Sequence, residues 1–106
     1  MAKIRLQRRS RTVLAKWLDS DRPKEGDPEL VIEVLHSVVN GTWCDRWYVT
    51  KDEFYDGLLM PAYMIWASKT LVVMIRLWPA EDPPEFEVIN IFDVTEIPEL
   101  DLPEDF

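Results

Sequence analysis

Two stretches of this chain are apolar at consecutive positions, and they constrain the fold more than any other feature. They are residues 64–66 and residues 71–75, with a polar Ser68-Lys69 pair between them. Successive side chains of a strand point to opposite faces, so an unbroken apolar run predicts a strand that is buried on both sides. We therefore predict a hairpin of two central strands, residues 62–67 and 70–78, that turns at Ser68-Lys69.

The residues before the hairpin predict two helices. The first covers residues 10–18, with Ser10 as the expected N-cap. The second begins with Asp27 as the expected cap and Pro28 in its first turn, and it ends at Asn40-Gly41. Its valines leave a strand open as the alternative. The apolar stripes are Val13, Leu14, Trp17 and Leu18 in the first helix, and Leu30, Val31, Val34, Leu35, Val38 and Val39 in the second.

Weaker patterns predict the remaining elements. Residues 3–6 and 85–92 predict strands, and the alternation in residues 42–49 predicts another. Thr50-Lys51-Asp52-Glu53 matches a capping box, which predicts a short helix or turn that reaches Leu59. The proline-containing residues 79–84 predict a loop.

These elements predict an α+β domain over residues 1–95. We expect N-terminal helices packed on a small antiparallel sheet of three to five strands. The helices cover one face of this sheet, and the central strands need a cover on the other face as well. The N-terminal segment, the C-terminal tail or a second subunit would supply it, so we expect either a folded-back end or a homodimer.

The charges divide the chain into a basic and an acidic part. Eight of the twelve Lys and Arg residues lie in residues 1–24, where the net charge is +6, whereas residues 25–106 carry a net charge of −14. Such segregation predicts that opposite charge is met in the same chain, in a second copy or in another macromolecule. The candidate basic arm consists of Arg5, Arg8, Arg9, Arg11 and Lys16.

The charges of the first predicted helix run against its dipole. Arg8, Arg9 and Arg11 lie at the positive start of the helix, and Asp19 and Asp21 lie at its negative end. Each misplaced charge costs about 0.3–1 kcal/mol, so packing must hold the helix. Charges that conflict with the helix dipole without visible compensation mark a candidate functional surface. The alternative is that the arginines are simply solvated.

Residues 96–106 form an acidic tail that contains two prolines. Acidic and apolar residues mixed with proline predict a disordered segment that docks onto a partner, and a solvated end without a role is the alternative. The candidate partner-binding residues are Glu96, Glu99, Leu100, Asp101, Leu102, Glu104, Asp105 and Phe106.

The sequence offers little material for catalysis. It has one histidine, His36, which we expect on the surface, and one cysteine, Cys44, which we expect in the core. The usual metal-binding and nucleotide-binding patterns do not occur, so we predict no catalytic residue, no metal site and no cofactor. The single cysteine, the lack of a signal peptide and the lack of a membrane span predict a cytoplasmic protein.

Three functions are compatible with these patterns. The first is a non-enzymatic protein-binding module that engages a basic protein partner: an inhibitor, an immunity or antitoxin-like protein, or a phage-type regulator. The second is a nucleic-acid-binding regulator that uses residues 3–16. The third rests on a resemblance, because the order of helices before sheet is similar to that of the small RelE-type ribonuclease toxins. The net negative charge of the chain argues against this third function, since an RNase must bind the negatively charged phosphates of RNA.

Overall fold

A computed structural model describes residues 5–55, 57–78 and 84–96 of the chain. Five strands, two α-helices and two short 3₁₀ turns follow one another along it. In chain order they are β1 (Arg5–Leu6), α1 (Ser10–Asp19), α2 (Asp27–Asn40), a 3₁₀ turn (Trp43–Asp45), β2 (Tyr48–Tyr55), β3 (Leu58–Trp66), β4 (Leu71–Trp78), β5 (Glu85–Asp93) and a second 3₁₀ turn (Val94–Glu96).

The five strands form one sheet in the order β1-β5-β4-β3-β2. The pairs β2–β3, β3–β4 and β4–β5 are antiparallel, and the short β1 pairs in parallel with the start of β5. The predicted α+β class, the N-terminal helices and the hairpin at Ser68-Lys69 are confirmed. The sheet is mixed rather than purely antiparallel because the last strand, β5, runs in the same direction as the β1 strand beside it.

Both helices pack on one face of the sheet, where most of the core lies. Within one chain, Val34, Val38, Ile65, Val73 and Ile75 are fully buried there. Their burial follows from the two periodicities, since α2 turns its valines inward while alternate residues of β3 and β4 point towards the helices. Leu18 belongs to the predicted apolar stripe of the first helix but lies outside this core, since its side chain remains 53% exposed.

The other face of the sheet carries a second, smaller apolar cluster. Its buried members are Met64, Trp66, Val72, Phe92 and Val94. Val94 reaches it from the 3₁₀ turn after β5, and the ring of Trp47 stands edge-on to Trp66 with 4.8 Å between centroids. These side chains are already buried within a single chain, so this face does not require a second subunit as its cover.

The predictions for residues 42–59 are wrong in part. Residues 43–45 form a 3₁₀ turn instead of the start of a strand, and Cys44 on that turn is exposed rather than buried. Thr50 to Glu53 continue β2 instead of opening a helix, because each of them pairs with a residue of β3. Ladder hydrogen bonds to a neighbouring strand satisfy backbone groups that a capping box would otherwise serve.

The predicted caps of the two helices are also corrected. Arg9, not Ser10, is the N-cap of α1, and Gly26 with a φ of 89° is the N-cap of α2. The carboxylate of Asp27 instead accepts a hydrogen bond from the backbone N–H of Lys24 at 3.0 Å. The predicted end of α2 is confirmed, since Gly41 takes the left-handed conformation that favours glycine there.

Neither helix in the described part of the chain has both the length and the apolar character needed to cross a membrane. The predicted loop at 79–84 lies outside the described residues except for Pro84, which accepts a hydrogen bond from the backbone N–H of Arg5.

Candidate functional site

The basic arm lies along the edge of the sheet that β1 and β5 form. Three cations of residues 1–24 pair there with carboxylates of β5. Arg5 reaches Glu85 at 2.9 Å, Arg9 reaches Glu87 at 3.2 Å and Lys24 reaches Asp93 at 3.5 Å. Part of the basic segment is thus paired with acidic residues of the same chain.

The rest of the basic arm faces solvent. Arg8, Arg11 and Lys16 are exposed, and no ion pair joins any of them to another described residue. Lys16 stands at the mouth of a cleft of about 230 Å³ between α1 and β5. The side chains around this cleft are Val13, Lys16, Trp17, Ser20, Arg22, Asn90 and Ile91. The structure therefore separates the predicted arm into paired and exposed cations.

Glu87 belongs to the most deeply buried ion pair in the described part of the protein. Its carboxylate lies 3.4 Å from the guanidinium of Arg76, and Arg9 reaches the same carboxylate from α1. Only 8% of the Arg76 side chain and 12% of the Glu87 side chain are exposed. Removal of one partner from such a pair leaves a charge with poor hydration, so we assign this cluster a structural role in holding α1 against the sheet.

Asp93 at the end of β5 holds the turn that precedes the acidic tail. Its carboxylate accepts hydrogen bonds from the hydroxyl of Thr95 at 2.6 Å and from the Thr95 backbone N–H at 2.9 Å. The Thr95 hydroxyl, followed by that N–H and by Lys24, holds the pKa of Asp93 below its ordinary value against the opposing effect of burial. The described residues end at Glu96, so the candidate tail residues Glu99, Leu100, Asp101, Leu102, Glu104, Asp105 and Phe106 lie outside them.

An exposed acidic stripe on and before α2 was not predicted from the sequence. Glu25, Glu29 and Glu33 are all exposed. Glu29 and Glu33, four residues apart, lie one above the other on α2, and Glu25 precedes the helix. Arg46 approaches Glu33 at 3.7 Å across the surface. The spacing was visible in the sequence, and it indicates an acidic surface near the end of the chain's basic segment.

An apolar groove between α1 and α2 was also not predicted. The groove has a volume of about 160 Å³, and apolar side chains alone surround it. Leu18 from α1 and Ile32 from α2 stand on its outer side with 53% and 51% of their surfaces exposed. The other side chains around it are Leu14, Trp17, Pro28, Val31 and Leu35. Exposed leucine and isoleucine beside a groove mark a surface at which another protein can bind.

The described residues contain no group of three or more His, Cys, Asp or Glu side chains that could hold a metal ion. His36 is exposed on α2, as the sequence predicts, and Cys44 is exposed on the following 3₁₀ turn. The described residues bring together exposed charges, exposed apolar side chains and two clefts.

The chain matches no known protein-family model, no curated protein and no solved structure.

Proposed function

We propose that this chain is a small, non-enzymatic protein-binding module that engages a basic protein partner through its acidic surface. An inhibitor, an immunity or antitoxin-like protein and a phage-type regulator all work in this way, and we place this binding in the cytoplasm. Negative potential on such a protein steers it towards a positively charged target and raises the rate of association.

The observation that carries the proposal is the pairing of Arg5, Arg9 and Lys24 with carboxylates of β5. These surface ion pairs offset part of the positive charge of residues 1–24 with carboxylates of the same chain. Exposed acidic residues that make no ion pair with another described residue, such as Glu25 and Glu29, contribute to the negative field of a chain whose net charge is −8. A basic partner is the complement of such a field.

The acidic tail is the second part of the proposed binding surface. It contains Glu96, Glu99, Asp101, Glu104 and Asp105, and the apolar residues Leu100, Leu102 and Phe106 alternate with these charges. Charges mainly govern how fast two proteins meet, whereas apolar anchors in a pocket mainly govern how long they stay together. We therefore assign the tail acids to association and the tail apolar residues to residence time.

The test begins with partner capture from the native host by the full chain and by a chain cut after Thr95. The captured partner is then used in binding kinetics at low and high salt. We expect the rate of association to fall with added salt, and to fall further when the five tail acids are replaced by their amides.

The control is the E25Q/E29Q/E33Q variant, which removes three charges from the acidic stripe on and before α2 and leaves the tail intact. A smaller loss of association rate for this variant assigns the main contact to the tail. Identical partner sets for the full and shortened chains, with rates that do not respond to salt, would overturn the proposal.

The second candidate function is nucleic-acid binding through the exposed part of the basic arm. Arg8, Arg11 and Lys16 favour it, because they are exposed and make no ion pair with another described residue. Cations of this kind contact phosphates and make binding dependent on salt.

A further inference from the structure

Two charges on an exposed side of α1 have no ion-pair partner among the described residues. Arg11 lies in the first turn and Asp19 ends the helix, and neither makes an ion pair with another described residue. Each charge has the same sign as the partial charge at its own end of the helix, which is unfavourable. Arg9, by contrast, is compensated by Glu87 across the sheet edge. Arg11 and Asp19 are thus open to a partner outside the described residues.

The two charges belong to a stripe along the outer side of α1. Its members are Arg11, Ala15, Leu18 and Asp19, which are all exposed and which are spaced by three and four residues. The stripe thus begins with a cation, continues with a small and an apolar residue, and ends with an anion. Beside it lies the apolar groove, with the half-exposed Ile32 on its far side.

We propose that this stripe binds a second copy of the chain, with the two α1 helices antiparallel and crossing at Ala15. Arg11 and Asp19 each lie four residues from Ala15, one on either side. A two-fold axis through Ala15 therefore places Arg11 of each chain opposite Asp19 of the other. The interface uses the same patch on both copies, which is the rule for two-fold dimers.

The antiparallel arrangement also corrects the conflict with the helix dipole. Each Arg11 lies beside the negative end of the other copy's α1, and each Asp19 lies beside its positive end. A parallel pair would instead set Arg11 against Arg11 and Asp19 against Asp19, so charge selects the antiparallel form. The small side chain of Ala15 lets the helices approach, and each Leu18 packs against the apolar groove of the other copy.

The proposed contact is short. A helix of ten residues spans about 15 Å, so we expect a reversible dimer that dissociates on dilution. The proposal is independent of the basic partner, since the acidic tail is not part of the stripe.

The experiment is sedimentation velocity of the full chain over a range of concentrations. We expect the wild-type protein to pass from monomer to dimer as its concentration rises. The R11D variant presents two anions on the stripe and the D19R variant presents two cations, so each variant alone should remain monomeric. An equimolar mixture of R11D and D19R should form a heterodimer, because each cation then faces an anion.

The K69D variant is the matched control, since it makes the same kind of charge change at the exposed β3–β4 turn, away from α1. It should dimerise like the wild-type protein, and circular dichroism checks that every variant is folded. A wild-type chain that stays monomeric at every concentration overturns the proposal. Dimers formed by R11D alone place the interface elsewhere, and a mixture that fails to associate rejects the antiparallel crossing at Ala15.

Discussion

The hydroxyl of Ser10 accepts a hydrogen bond from the backbone N–H of Val88 at 2.9 Å. Ser10 and Val88 are both fully buried, and 78 residues of chain separate them. β1 pairs with only the first two residues of β5, so the backbone N–H of Val88, farther along the same edge of β5, needs another hydrogen-bond acceptor. The first residue of α1 supplies it and thereby joins the helix to the sheet.

We predict that Ser10→Ala destabilises the protein by about 1–3 kcal/mol, because the buried N–H of Val88 is left without its acceptor. The destabilisation should appear although alanine is the better helix former. Urea unfolding measures it. Ser20→Ala is the control, since the Ser20 hydroxyl and the Ser20 backbone N–H share the same acceptor, the carbonyl of Trp17. Equal costs for the two variants would contradict the assigned role of Ser10.

We predict that Glu87→Gln lowers the free energy of unfolding by about 3–5 kcal/mol, because it removes the carboxylate that pairs with the buried Arg76 guanidinium. Denaturant unfolding of Glu87→Gln, Arg76→Met and the double variant measures the coupling. The double variant should recover most of the stability. Glu85→Gln at the exposed Arg5 pair is the matched control and should cost at most about 1 kcal/mol. If Glu87→Gln and Glu85→Gln lowered the free energy of unfolding equally, burial of the ion pair would not determine the loss of stability.

We predict that the stability difference between the wild-type protein and Thr95→Val depends on pH. The Thr95 hydroxyl lowers the pKa of Asp93 in the folded protein. A lowered carboxyl pKa contributes stability that is fully present above the ordinary aspartate pKa and is lost as the pH falls through the lowered value. The difference in unfolding free energy should therefore be largest near neutral pH and shrink in acid. Thr12→Val, on the exposed side of α1, should give a difference that does not change with pH.

We predict that the R8A/K16A variant tests the nucleic-acid function without disturbing the fold or the proposed dimer. Both cations lack an ion pair with another described residue, and both lie outside the stripe of α1. If the wild-type protein binds nucleic acid, the variant should bind more weakly, and its salt slope should fall by about one for each phosphate that no longer meets a cation. Fluorescence anisotropy with duplex and single-stranded probes measures both. Lys69→Ala serves as the control. If the wild-type protein binds neither probe at low salt, the nucleic-acid function is rejected.

The central hairpin could be predicted from the sequence because its pattern is local. Residues 64–66 and 71–75 are apolar without interruption, and a strand that is covered on both faces accommodates such a run. The same holds for α2, whose apolar spacing and closing Gly41 are both local signals. These elements are correct because one short stretch of chain contains all the information that specifies them.

The edge strand β2 could not be predicted in this way. Lys51, Asp52 and Glu53 at its middle are charged, which suits the edge of a sheet but also matches a capping box. Only the pairing of these residues with β3 distinguishes the two, and that pairing is a property of the folded chain. The charges of this edge strand therefore indicated the wrong local structure.

The candidate surfaces were predictable only in part. The division of charge indicated that the basic segment meets opposite charge, and Arg5, Arg9 and Lys24 do so on β5. Which cations would be paired and which exposed depends on the position of α1 against the sheet. The groove between the helices likewise depends on their packing, because Leu18 and Val13 belong to the same apolar stripe in the sequence.

The parallel pairing of β1 with β5 has a consequence for the order of folding. Arg5 and Glu85 lie 80 residues apart, so this edge closes only when nearly the whole chain has been synthesised. Contacts between distant residues form late and slow the reaction, because the entropic cost of closing the long loop comes before they are made. We therefore expect the helices and the β3–β4 hairpin to assemble first, and the opening segment to be the last part of the chain to reach its final place.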